Sequence, residues 1–142
     1  MDGNIQPDSY KKAYLLSTKD LNTIKHLDEI IRAGVKSLKI EGRMKRPEYV
    51  AIVVKHYKEA LNDIAEKGKA EISNDAYMEL ESAFNRGFTH GFLFNEKKSE
   101  IVNTTKPSNR GILLGKVLWQ KGGKAGISVR GTISKGDGIE IV

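Results

Sequence analysis

The segment Lys39-Ile40-Glu41-Gly42-Arg43-Met44-Lys45 holds the residue types best suited to chemistry in this 142-residue chain. A single glycine separates the carboxylate at position 41 from the guanidinium at position 43. Glu41 is suited to act as a general base, and Arg43 to hold a carboxylate or phosphate in bidentate fashion. We therefore predict Glu41 and Arg43 as catalytic residues. The alternative is a tight turn in which the two side chains pair for geometry alone.

The elements around this segment predict how it is positioned. Val35–Ile40 alternates in hydropathy, which predicts a short strand, and an apolar stripe over residues 47–67 predicts a long helix. Upstream, residues 1–12 predict a polar lead-in without a periodic pattern, and Tyr14–Leu16 predicts another strand. A helical pattern runs from Leu21 to Ile31, and Asp20 favours the positive end of that helix. Ser73 or Asn74 is suited to cap a third helix. The order strand, helix, strand, helix is typical of a parallel sheet. In (β/α)₈ barrels the active site lies past the C-terminal ends of the strands, which is where the two predicted catalytic residues lie.

The hydrophobic period changes from helical to two after residue 110. Ile112–Trp119 and Ile127–Arg130 predict strands joined by a Gly-Gly turn, and Ile139–Val142 predicts a third strand. The fold class we predict is α/β plus all-β. Residues 1–94 form the terminal strand–helix units of a (β/α)-barrel, 95–110 form a linker, and 111–142 begin a small β-barrel.

Neither predicted part is complete as a sheet. Two parallel strands cannot bury both faces, and three antiparallel strands leave open edges. We therefore expect the chain to be a fragment of a larger protein, and we expect it to self-associate when isolated.

The charge of the chain is concentrated near its C-terminus. The whole chain carries a net charge of +6, and residues 104–142 hold seven basic and two acidic side chains. Such a bias suits a polyanion such as RNA, although a solvated basic surface is the alternative. We predict nucleic-acid contacts by Lys116, Lys121, Lys124, Arg130 and Lys135. Trp119 lies among them and either packs in the core of a small barrel or stacks on a base.

The composition also excludes several classes of site and location. Without cysteine the chain has no disulfide, catalytic thiolate, cysteine-ligated zinc or protein-ligated iron–sulfur cluster. His26, His56 and His90 show no metal-ligand spacing, so we predict surface or turn roles for them and no metal site. The longest apolar run, Val50–Val54, is too short to cross a bilayer, and Met1–Asn4 is polar. We expect a cytoplasmic protein without membrane contact.

Three stretches of the sequence resemble a known family. Leu16–Leu21, the run from Ala33 to Val50 and the run Phe84-Asn85-Arg86-Gly87-Phe88-Thr89-His90-Gly91-Phe92 closely resemble the collagenase-like peptidases, peptidase family U32. Asn109-Arg110-Gly111 with Gly115-Lys116-Val117 is similar to the entry into the family's C-terminal β-barrel. The resemblance implies a (β/α)-barrel followed by a small β-barrel in full-length members. Some members are described as collagen-degrading peptidases. Others take part in hydroxylation of tRNA bases, ribosomal RNA bases or quinone precursors, with an iron–sulfur cluster held by upstream cysteines.

The resemblance implies a parent enzyme whose substrate is a polypeptide or an RNA. We predict that Lys39, Lys45 and Arg86 bind this substrate. Because the chain lacks the family's cysteines, we expect it to hold no cofactor and to be inactive by itself, with any iron–sulfur cluster belonging to the full-length parent. Our first interpretation is a fragment of a peptidase-family hydrolase. The alternatives are a fragment of an RNA base hydroxylation enzyme and a stand-alone basic module that binds RNA or protein.

Overall fold

A computed structural model of the chain describes Tyr14, residues 16–104 and residues 108–141. It divides into two compact units, Met1–Gly111 and Ile112–Val142. The polar lead-in predicted for residues 1–12 and Leu15 of the predicted first strand lie outside the described residues. Within the described part, no helix combines the length and the apolar character needed to cross a membrane.

The first unit combines helices with one very small parallel sheet. Strand β1 (Asp20–Leu21) pairs in parallel with β2 (Phe88–Thr89), so that Asp20 lies opposite Phe88. Between these strands lie a 3₁₀ helix and the helices α1, α2 and α3, and α4 follows β2. Their bounds are Ile24–His26 for the 3₁₀ helix, Leu27–Arg32 for α1, Pro47–Lys67 for α2, Asn74–Ala83 for α3 and Lys98–Ile101 for α4.

The core forms where the N-terminal helices meet α2 and α3. Its buried residues are Ile24, Leu27, Val53, Ala60 and Leu80. The predicted long helix is confirmed: it begins at Pro47, whose fixed φ and missing N–H suit a first helical position. It ends at Lys67, and the following cap residue, Gly68, has a φ of 78° and donates its N–H to the Ile64 carbonyl. The predicted cap of α3 is also confirmed, because Ser73 Oγ accepts the Ala76 N–H at 3.1 Å.

The strand predicted for Val35–Ile40 is wrong. Leu38 and Ile40 pack against the core, as the alternation predicts, but the segment is irregular backbone. A strand is defined by its ladder of hydrogen bonds, and no described segment pairs with this one. The helix predicted from Leu21 also begins later, because Leu21 belongs to β1 and the 3₁₀ turn starts at Ile24.

The described residues of the segment 95–110, which was predicted as a linker, include a helix and long-range hydrogen bonds. It includes α4, and the Lys19 N–H donates to the Ile101 carbonyl at 2.8 Å. The Asn103 N–H donates to the Ser17 carbonyl at 2.7 Å, and Asn103 is fully buried. These residues therefore pack within the first unit.

The second unit is built on a β-hairpin. Strands β3 (Gly115–Lys121) and β4 (Lys124–Val129) are antiparallel. Gly122 and Gly123 have φ values of 55° and 73°, the positive values that a type I′ turn needs at both central positions. Residues 139–141 form no strand, contrary to the prediction, and Val142 lies outside the described residues. The assignment of these parts to two barrels stays a prediction.

Candidate functional site

The loop between α1 and α2 carries the two residues predicted to be catalytic. Glu41 Oε1 accepts the backbone N–H of Arg43 at 3.2 Å, and Lys39 Nζ lies 3.7 Å from Glu41 Oε2. The side chains of Lys39 and Glu41 are 87% and 68% exposed, and Arg43 is also exposed. The loop thus presents a carboxylate beside two cations to solvent, an arrangement that can exchange a proton or bind an anionic group.

Packing holds this loop at Gly42 and at Lys45. A Cβ on Gly42 would lie 2.6 Å from Val50 Cγ2, so the loop backbone approaches α2 more closely than any other residue allows. Three residues later, Lys45 Nζ lies 2.8 Å from the centre of the Phe84 ring. Loss of solvent lowers the pKa of Lys45; the charge of Asp20 opposes this shift, whereas that of Arg86 adds to it. Lys45, predicted to bind substrate, therefore anchors the loop.

Met44 is a feature of the loop that the sequence did not predict. The Lys45 N–H donates to the Gly42 carbonyl at 3.0 Å, which closes a tight turn. Within this turn Met44 has a φ of 64°, and its side chain is 95% exposed. A non-glycine residue in this region costs about 1 kcal/mol or more, and such strain clusters at functional sites. No sequence signal points to it, because methionine is not a residue that favours positive φ.

Arg86, the third residue predicted to bind substrate, lies in an ion pair with Asp20. Its NH2 nitrogen lies 2.8 Å from Asp20 Oδ1, and its backbone N–H donates to Asp20 Oδ2 at 2.8 Å. The pair joins β1 to the turn that precedes β2, 66 residues later. Asn103 Nδ2 donates to the Arg86 carbonyl at 2.7 Å. Asp20 was expected to favour the start of a helix, and it instead binds this arginine.

The structure corrects the role predicted for one of the three histidines. His56 is buried, and its Nδ1 and Nε2 lie 3.2 Å from Glu59 Oε2 and 2.7 Å from Glu79 Oε2. It therefore joins α2 to α3 rather than lying on the surface. The rings of His26 and His90 meet edge to face at 4.7 Å between centroids.

The donor atoms of the chain do not fit an iron–sulfur cluster, because there is no cysteine to supply a thiolate. In the part of the chain that the structure describes, no three His, Asp or Glu side chains are grouped to hold a metal ion.

The hairpin of the second unit gathers basic residues on one face. Val117 lies opposite Ile127 and Trp119 lies opposite Gly126, so Leu118 is the extra residue of a β-bulge. Residues that lie opposite each other share a face, and positions two apart along β4 share it too. One face, the basic face, therefore carries Lys116, Trp119, Lys121, Lys124, Gly126 and Ser128. The other face carries Val117, Gln120, Ala125, Ile127 and Val129.

The basic face is electrostatically unbalanced. Its lysines are exposed, and none of them takes part in an ion pair within the described ranges. Lys121 lies directly opposite Lys124, and like charges in this position destabilise a hairpin. An anion bound between them would relieve the repulsion. Arg130 directly follows β4, and Lys135 belongs to a separate turn closed by Asp137.

Trp119 is the aromatic residue of the basic face. It is 54% exposed, and a Cβ on Gly126 would lie 2.1 Å from its Nε1. The indole therefore lies directly over the glycine backbone of the opposite strand. Packing in the core of a small barrel and stacking on a base both stay predictions for Trp119.

Comparison with known proteins links the chain to one family. A family model described as "Peptidase family U32" matches residues 2–103. The tRNA hydroxylation protein P of Escherichia coli is 33% identical over 133 residues, which cover 91% of this chain and 29% of that protein. The 23S rRNA 5-hydroxycytidine C2501 synthase of Escherichia coli is 31% identical over 141 residues, 94% of this chain and 21% of that protein.

A collagenase of Porphyromonas gingivalis is 40% identical over 88 residues, which cover 61% of this chain and 24% of that protein. The chain thus spans between a fifth and three tenths of the length of these relatives. No solved structure matches it.

Proposed function

The chain belongs to peptidase family U32, and from this premise we propose that it is part of an RNA-hydroxylation protein in which it binds and positions the RNA. The basic face of the hairpin carries this proposal. It presents three exposed lysines and a tryptophan on one surface. Basic side chains interleaved with an aromatic ring are typical of surfaces that bind single-stranded nucleic acid.

The extent of the matches supports RNA over polypeptide as the substrate. The hairpin ends at Val129, thirteen residues before the C-terminus, so a match over 94% of the chain includes it. That match is to an rRNA-modifying protein, whereas the match to the collagenase covers 61% of the chain.

Within the proposed function, the loop of the first unit contacts the substrate. Arg43 binds a phosphate, and Glu41 accepts a proton. Both side chains are exposed on a loop that packing holds at Gly42 and Lys45, and the adjacent Met44 is strained. In the whole protein, Glu41→Gln or Arg43→Ala is expected to lower turnover at least about tenfold, or roughly 1.4 kcal/mol, with little change in thermal stability. Loss of soluble protein would support the turn-geometry alternative.

The proposal is tested by deleting the gene that encodes the chain in its source organism. Nucleosides from tRNA and rRNA are then compared by mass spectrometry before and after deletion. We expect one hydroxylated nucleoside to disappear and to return when the wild-type gene is restored. In parallel, the purified protein is incubated with gelatin. Cleavage of gelatin with unchanged nucleosides would support a peptidase, and an effect on neither would refute the proposal.

A charge-reversal variant tests the basic face without weakening the hairpin. Lys121→Glu places a carboxylate opposite Lys124, which replaces a like-charge pair with an ion pair. We expect binding of a fluorescently labelled RNA to fall although the hairpin stays folded. Lys58→Glu on α2 changes the net charge equally and serves as the matched control. Equal binding by the two variants would show that net charge, rather than this face, attracts RNA.

A further inference from the structure

We infer that Trp119 is a stacking platform that holds one unpaired base of the RNA while the neighbouring lysines hold its phosphates. This inference rests on the proposed function and deepens it, because it specifies that the surface recognises single-stranded RNA rather than the outside of a duplex. Base–aromatic stacking tolerates every base, since each has a π-face.

The contact between the Trp119 indole and Gly126 positions the ring for stacking. Nε1, Cε2 and Cδ1 of Trp119 lie 2.1, 2.4 and 2.8 Å from where a Cβ of residue 126 would stand. Only a glycine lets the ring approach the opposite strand so closely, and contact with the strand backbone restrains the ring. With one side of the ring on the backbone and 54% of the residue exposed, the other side is open to solvent. Because the indole is already restrained, little of its side-chain entropy is lost when a base stacks on it.

The composition of the two faces separates this role from core packing. The opposite face of the hairpin carries Val117, Ile127 and Val129, the apolar side chains suited to covering a core. A tryptophan that served as core would belong with them. Trp119 instead shares its face with Lys116, Lys121 and Lys124.

The lysines lie at distances suited to the backbone of a short RNA strand. Along β3, Lys121 lies two residues from Trp119, or about 7 Å, and Lys116 lies three residues away on the other side, or about 10 Å. Phosphates on both sides of a base stacked on Trp119 therefore come within reach of a flexible lysine side chain. The stacked base and the phosphates form one continuous binding surface.

The test uses the 142-residue chain; affinity is measured by the fluorescence anisotropy of a dye attached to each RNA, and stacking by quenching of the intrinsic fluorescence of Trp119, the single tryptophan. Three probes of equal length are compared: a decauridylate, a decaadenylate and a decamer with abasic sugars. We expect both base-carrying decamers to quench the fluorescence, and the abasic decamer to bind about tenfold more weakly without quenching. Trp119→Leu is expected to bind all three decamers equally, at the affinity of the abasic decamer for the wild type. Its salt dependence should be unchanged, because the phosphate contacts remain.

Two further variants keep the outcome clear. The Cβ of Gly126→Ala would clash with the indole and displace it from the glycine backbone. We expect this variant to lose the preference for base-carrying decamers, which would identify Gly126 as a positioning residue. Trp119→Phe keeps an apolar aromatic ring over Gly126, and we expect partial retention of the preference. Binding of all decamers with equal affinity by the wild type would overturn the stacking platform and leave RNA binding intact. Failure of every decamer to bind at low salt would refute RNA binding by this chain itself.

Discussion

Replacing Asp20 by Asn tests whether the main role of Arg86 is to stabilise the fold or to bind a substrate. The carboxylate of Asp20 accepts the Arg86 backbone N–H at 2.8 Å and the guanidinium at 2.8 and 3.2 Å. An asparagine has the same shape, but its single oxygen retains only part of these contacts and its amide group faces an N–H donor. The side chains of Asp20 and Arg86 are 19% and 30% exposed. Breaking their contact therefore lowers the free energy of unfolding by less than breaking a fully buried ion pair does. We expect Asp20→Asn to lower the free energy of unfolding by about 2 kcal/mol.

Thermal unfolding followed by circular dichroism at 222 nm measures this loss, because every helix of the described residues lies in the first unit. For a unit of this size, about 2 kcal/mol lowers Tm by about 8 °C. Asp63→Asn is the matched control, since it removes the carboxylate of an exposed pair with Lys67, and we expect its Tm to stay within about 2 °C of the wild type. An equally small shift for Asp20→Asn would refute the reasoning, and would favour the substrate role predicted for Arg86.

Three further predictions concern packing, pH and association. Gly42→Ala is expected to lower the free energy of unfolding by about 1–2 kcal/mol in urea titrations, because its Cβ would meet Val50 Cγ2. The Thr89 hydroxyl and the His90 N–H lower the pKa of Glu96 below its ordinary 4.5. Its stabilising effect is therefore complete above pH 4.5 and is lost as pH falls through the lower folded pKa; Glu96→Gln should flatten the acid dependence of the urea midpoint. The isolated chain is expected to sediment above monomer mass at tens of micromolar, because the hairpin exposes an apolar face.

Local sequence signals predicted the parts of the fold that local interactions form. Pro47, the apolar stripe after it and Gly68 define α2, and Ser73 caps α3. These signals act within a few residues, so the sequence displays them directly. The strand predicted for Val35–Ile40 failed for the opposite reason. Alternation records which side chains face the core, but a ladder needs a partner strand that no local pattern encodes.

The long-range contacts of the first unit could not be predicted in the same way. Asp20 and Arg86 are 66 residues apart, and the sequence favoured a helix-start role for Asp20 because its nearest neighbours are typical of one. His56 lies on the stripe side of α2, yet only the arrival of Glu79 from α3 provides a partner that lets its ring be buried. Both cases are polar contacts whose partners come from distant segments.

The basic face shows how one residue changes what a sequence pattern means. In a regular strand Lys116 and Trp119, three positions apart, point to opposite sides of the sheet. The bulge at Leu118 adds one residue to β3 and brings them to the same side, together with Lys121 and Lys124. Counting charges in the sequence therefore finds the lysines but not their common face with the tryptophan. Inserting one alanine between Gly126 and Ile127 would give Leu118 a partner, remove the bulge and move Lys116 to the side opposite Trp119, while Trp119, Lys121 and Lys124 keep their partners. If the surface binds RNA as proposed, this insertion weakens binding, whereas an attraction that depends only on net charge is unaffected.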